Sequence, residues 1–363
     1  MNENDIFENR EMNFQNESAV CEMLPSTGEG LRAARKRFSV IGLGFALYTA
    51  ISLVVALVIQ IAAIIIDPQL VENIFFLNVV TPVSLYVFAL PVLLLVLYLF
   101  GAKGEAPEKK KMGILSLPLI FLVSFGLMYL GSFVGQGVMW GFTQAVGYDY
   151  ANALESMIDN DSMWITVVFM CIVAPIGEEF VFRKLIIDRT HKYGGFVSIL
   201  FSGLLFGLMH ANFYQFFYAF ALGLVLGYVY YSTGNIWYGI GLHAAINFVG
   251  SVLVSYLDAA VTEMTYAMIG VDMQSIDASL AFYEEYGLIL VAEYGFFLLV
   301  IASMISAIVL PIVFRNEIVL ERKLPILPRG KTLGAAFLNV GVILLLLVYI
   351  FEFIISLIPP AAG

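Results

Sequence analysis

Charge is what this sequence has least of. Only 13% of its 363 residues are charged and 61% are apolar, whereas a soluble domain carries about 25% charged residues. That shortage excludes a water-soluble globule. Period-two alternation is missing from the long apolar runs, which excludes the strands of a lipid-embedded barrel. Cysteine is nearly absent: Cys21 and Cys171 lie far apart, so no disulfide framework is expected. Histidine occurs three times, at His191, His210 and His243. No short apolar segment with a small-residue cleavage site opens the chain, so no signal peptide is expected.

What remains is a set of apolar runs and mean hydropathy of +0.91. About 20 apolar residues in a helix cross a hydrocarbon core of about 30 Å. Only helices or closed barrels satisfy their backbone there, so the expected fold is an all-α polytopic bundle. Nine candidate spans are read at 38–66, 75–100, 113–142, 163–187, 195–212, 214–231, 235–257, 287–314 and 333–358. The fifth and sixth meet near Asn212 almost without a loop, and Pro325 and Pro328 break the link before the last. Residues 1–31, rich in Asn and Glu, are expected to form a disordered cytoplasmic tail, with 32–363 as the bundle.

Charge placement orients these spans. The 18 Lys and Arg fall at Arg10, Arg32 to Arg37, Lys103 to Lys111, Arg183 to Lys192 and Arg315 to Lys331. The alternate connections carry Asp67 and Glu72, then Asp149 to Asp161, then Asp258 to Glu285, and no Lys or Arg. Nine spans with a cytoplasmic N-terminus put every basic group on the cytoplasmic side. The net charge of −10 comes largely from the tail and the acidic connections, so no nucleic-acid partner is expected; the partner is the bilayer. Gly131 with Gly135, Gly203 with Gly207 and Gly223 with Gly227 are spaced for close helix packing.

Ionisable groups inside spans are expensive and mark function. Glu178, Glu179, Arg183, His210, His243 and Asn247 all fall between Pro175 and Asn247. Adjacent helical residues point about 100° apart, so the two carboxylates have different roles. Glu179 and Arg183, four apart, form the favourable ion pair and support the site. That leaves Glu178 to face a cavity as a general base. His243 and Asn247 lie one turn apart on one face, where imidazole and carboxamide can donate to an oxyanion. The bland alternatives are a helix-end anchor for Glu179 and Arg183, a satisfied core position for His210, and packing glue for Asn247. His191, among the basic residues, is expected to be solvated. Phe213, Tyr214, Phe216 and Phe217 read first as ordinary interface or lipid-facing residues and second as the lining of a greasy groove. Depth leaves a puzzle: His210 lies fifteen residues from Gly195 and His243 eight from the start of its span.

Glu178-Glu179-Phe180-Val181-Phe182-Arg183 fits EExxxR, Phe206 to His210 fits FxxxH, and His243 to Asn247 fits HxxxN. In this order on successive spans, over about residues 160–255, they resemble the CPBP family of CAAX prenyl endopeptidases and bacteriocin-processing and self-immunity proteins. The resemblance implies an intramembrane endopeptidase acting on a membrane-associated peptide or CAAX-type protein. It gives Glu178 and His210 the activation of water, and His243 and Asn247 the oxyanion. The expected location is a bacterial plasma membrane, with the catalytic cavity open to the cytoplasmic side. No cofactor is expected. The metal alternative is a divalent ion, such as zinc, on Glu178, His210 and His243; the HExxH pattern is absent. Two other functions compete: a non-catalytic immunity or scaffold protein on the same fold, and a proton-coupled transporter, for which Glu293 and Glu352 in later spans are the relevant features.

Overall fold

The apolar runs fold into helices, because a helix satisfies its own backbone in lipid. A computed structural model of the chain describes residues 27–101, 103–148, 150, 163–269, 271–272, 274–320 and 327–359. The tail reading for 1–26, the connection at 149–161 apart from Tyr150, and Pro325 lie outside the described residues. We label the helices α1 Thr27–Ile66, α2 Phe75–Leu99, α3 Ser116–Val146, α4 Met163–Tyr193, α5 Gly195–Leu208, α6 Phe213–Thr233, α7 Ile236–Ile269, α8 Ile276–Val313, α9 Arg329–Phe337 and α10 Val340–Ser356. No strand occurs among the described residues.

Seven of these helices are long and apolar enough to cross a membrane. The bent pair α9 and α10, meeting at 58°, brings the count to eight. Asn339 makes that bend: its amide donates to Ala335 O (2.9 Å) and Ala336 O (2.8 Å), and its Oδ1 accepts from Val342 N (3.0 Å). The fifth expected span is corrected. Residues 195–212 give only the 14-residue α5, about 21 Å long and short of the hydrocarbon core. Its chain reverses at Ala211, which has a left-handed φ of 53°, and Asn212, whose Oδ1 caps α6 on Gln215 N. α5 and α6 thus form one helical hairpin, of which α6 alone is long enough to cross. Helix also begins at Thr27, inside the expected tail. The connection expected at 258–286 is mostly helical, because α7 and α8 run on past their apolar stretches.

Small residues set the packing. A Cβ on Gly131 would lie 2.5 Å from Tyr218 Cα, and Gly203 faces Gly223, so α6 sits in backbone contact with α3 and α5. The sequence pattern did not single out two further contacts of the same kind: Gly126 against Ser303 O on α8, and Gly341 against Ser39 O on α1.

The basic connections gather at one end. Glu105 N donates to Asp188 O (2.8 Å), and Lys110 N to Thr233 O (2.8 Å). Lys184 Nζ meets Asp188 Oδ2 at 2.9 Å, and Tyr230 Oη donates to Asp188 Oδ1 at 2.6 Å. His191 is bonded rather than merely solvated, through Nε2 to Glu105 O at 2.9 Å. At the opposite end, Tyr214 at the hairpin tip donates to Tyr150 O, and Tyr150 to Leu357 O.

Candidate active site

The site is built on α4, where a regular turn at Ala174–Glu179 sits between two widened, π-type stretches, Val167–Val173 and Phe180–Ile187. Such stretches release carbonyls and re-aim side chains, and they recur at functional sites. Here the first frees Met170 O, which accepts from Asn247 Nδ2 of α7 at 2.7 Å.

Glu179 and Arg183 are both wholly buried. The pair is bidentate, with Nε to Oε2 at 3.0 Å and Nη2 to Oε1 at 3.1 Å. Arg183 Nη1 adds a bond to Ser202 Oγ of α5 (3.0 Å), which itself donates to Phe182 O (2.8 Å). The guanidinium carbon lies 4.9 Å from the centre of the Phe206 ring. A buried charge needs this degree of pairing to be tolerated. The pair is therefore a lock between α4 and α5, well inside the bundle.

Glu178 points the other way. Its side chain keeps 15% exposure, and among the described residues its one ion-pair contact is a long one, Oε2 to His243 Nε2 at 3.7 Å. His243, almost buried, stands between the two carboxylates, with Nδ1 3.3 Å from Glu179 Oε1. Glu179 is committed to Arg183 as an acceptor, so Nδ1 carries the donated hydrogen and Nε2 is left facing Glu178. His210 lies just past the end of α5, its Nδ1 on Phe206 O at 2.9 Å; its Nε2 is the free acceptor. The Phe206 ring packs edge-on against both imidazoles, with centroids 5.3 Å from His210 and 5.6 Å from His243.

Glu178, His210, His243 and Asn247 all line one cavity of about 670 Å³. Its wall includes Tyr86 of α2, Gln136 of α3 and Tyr218 of α6, none of which a motif pointed to. Because α4 continues to Tyr193, Glu178 lies fifteen residues from that end, as His210 does from Gly195; His243 lies seven from Ile236, the start of α7. Among the described residues there is no group of three His, Cys, Asp or Glu close enough to share a metal ion.

The cavity lies away from the basic end. Asn78 and Tyr86 come from the first half of α2, Met170 from the first half of α4, and Met209 and Gln215 from the hairpin tip. Each belongs to the part of its helix remote from the Lys and Arg connections. The cavity and the Lys and Arg connections thus lie at different levels of the bundle.

Comparison with known proteins bears on this same stretch. Residues 160–249 match the family described as type II CAAX prenyl endopeptidase Rce1-like. This segment is thus similar to that family. The resemblance read from the three motifs thus holds where the motifs lie. The chain also aligns with "Putative membrane peptidase YdiL" of Bacillus subtilis (strain 168), at 32% identity over 84 residues. That alignment covers 23% of this chain and 34% of the relative, so the two share about a third of the relative's length. No solved structure matches.

Proposed function

We propose that the chain is an intramembrane endopeptidase that hydrolyses a membrane-associated peptide with a water activated by Glu178. The observation that carries this reading is the convergence of Glu178, His210, His243 and Asn247, from α4, the α5–α6 hairpin and α7, on one cavity. The likeness of residues 160–249 to type II CAAX prenyl endopeptidases supports it.

In this reading Glu178 takes a proton from water as the hydroxide oxygen bonds to the peptide carbonyl carbon. His210 Nε2, left bare by the Nδ1 bond to Phe206 O, accepts a hydrogen bond from that water and aims it. The oxyanion faces Asn247, whose amide keeps one hydrogen beyond the one given to Met170 O. His243 donates through Nε2 only when it carries a second proton, with Glu179 on its other nitrogen to balance the charge. When the C–N bond breaks, Glu178 returns its proton to the departing amine. A cavity shielded from bulk water strengthens each of these contacts.

The plasma membrane of a bacterium is the proposed location. With the basic end cytoplasmic, the cavity reaches the site from the far half of the bilayer. A cysteine placed at Gln215 should then react with a membrane-impermeant maleimide added outside intact cells; labelling confined to inverted vesicles reverses this orientation. The activity itself is tested in proteoliposomes with a fluorogenic farnesylated CAAX peptide and an unmodified apolar transmembrane peptide. Cleavage of either by wild-type protein, lost in Glu178→Gln, is expected. Equal release by both proteins would end the proposal.

A further inference from the structure

The cavity wall holds a hydroxyl that none of the three motifs covers. Tyr86 lies on α2, in the widened stretch Val83–Ala89 that follows Pro82. Its phenol packs directly against Gly177, the residue before Glu178. A Cβ added to Gly177 would lie 2.3 Å from Tyr86 Cζ and 2.7 Å from its Oη. The missing side chain at Gly177 thus leaves the room that the ring fills, and the hydroxyl end comes down beside the peptide unit that carries Glu178. Tyr86 and Glu178 line the same cavity.

We propose that Tyr86 is a positioning residue for Glu178, its hydroxyl donating to the carboxylate or to the water that the carboxylate holds. The physical reason is that Glu178 lacks what Glu179 has. Glu179 is fixed by two bonds to one guanidinium, whereas Glu178 has a single long contact to His243. A carboxylate has about four acceptor sites, and a base that must hold water at a fixed angle needs one side restrained. A phenol offers one donor on a rigid ring, which no other residue placed at Gly177 would permit. This assignment rests on Glu178 being the reactive carboxylate, and its first test does not depend on cleavage.

That test is carbodiimide labelling of Glu178 in detergent-purified full-length protein, followed by peptide mass analysis, with Glu352 as the reference carboxyl. Carbodiimides react with the protonated acid, and a phenol donor favours the ionised form. Tyr86→Phe keeps the ring and removes the hydroxyl, so Glu178 should label about fivefold faster while Glu352 stays unchanged. Equal Glu178 rates in the two proteins overturn the proposal. The second test uses the farnesylated CAAX peptide. Tyr86→Phe should lower kcat about tenfold with KM unchanged, and Gly177→Ala, which displaces the ring, should lower it at least as much. The double variant should be no worse than Gly177→Ala alone, because both changes remove one interaction. Additive losses, or a loss confined to KM, also overturn it. A changed labelling rate together with no cleavage by wild type would retain the Tyr86 contact and refute the endopeptidase reading instead.

Discussion

Glu178 and Glu179 are neighbours in the chain, yet they belong to two different regions of the molecule. On one side of α4 lies a packed wall: Glu179, Arg183, Ser202 and the Phe206 ring, with no exposure of the ion pair and every guanidinium nitrogen bonded. On the other lies a cavity into which Glu178 projects with a single long contact. The hydrophobic environment is shared, so burial alone does not distinguish the two acids. Partners do. A paired carboxylate is spent on holding helices together, and an unpaired one is available for chemistry. His243 joins the regions, since one nitrogen faces each acid.

Changes that break this contrast should separate activity from stability. Glu178→Gln is expected to have the largest effect, a fall of about 10³-fold or more in cleavage of the farnesylated peptide. Its melting temperature should stay that of wild type, because nothing in the wall has been touched. Arg183→Met should do the reverse. It strands a buried carboxylate, which costs about 3–5 kcal/mol, and thermal unfolding in detergent should show a large drop in melting temperature. A protein that melts normally without Arg183 would contradict the lock. Asn247→Ala falls next, with a loss of about 10²-fold in kcat if its amide faces the oxyanion. Since that amide also holds Met170 O, a modest loss of stability should accompany it. A loss of stability with full activity would return Asn247 to the role of helix–helix glue.

Much of this was legible in the sequence because charge in an apolar run has few explanations. The ion pair of Glu179 and Arg183 followed from i, i+4 spacing, and the meeting of His210 and His243 with Glu178 followed from three motifs on successive runs. Other features had no signal of that kind. Tyr86 comes from a helix more than ninety residues upstream and looks like any tyrosine in a span; only Gly177 beside the glutamates hinted that something must fit there. The tie between His243 and Glu179 was hidden because period alone gives a face, not a partner. Residues 195–212 were read as a full span because apolar composition continues through Met209, while the left-handed turn at Ala211 ends the helix early. The level of the cavity had no signal, because the basic loops mark one end of the bundle and say nothing about where its interior is hollow.

The smallest expected effect concerns metal. Both histidines have their Nδ1 hydrogens engaged, His243 on Glu179 and His210 on Phe206 O, and second-sphere partners of this type commonly orient zinc-bound imidazoles. The contrast between wall and cavity argues for a different use of the same arrangement. A metal needs three protein ligands at about 2 Å from a common point, and the described residues bring no such set together. Instead, each imidazole is held through Nδ1, which leaves Nε2 for a water or an oxyanion. Cleavage by the purified protein should therefore be unchanged after dialysis against a chelator. Loss of activity that zinc restores, with Glu178→Gln failing to bind the ion, would show that the carboxylate is a ligand rather than a base, and the cavity would have to be redrawn around the metal.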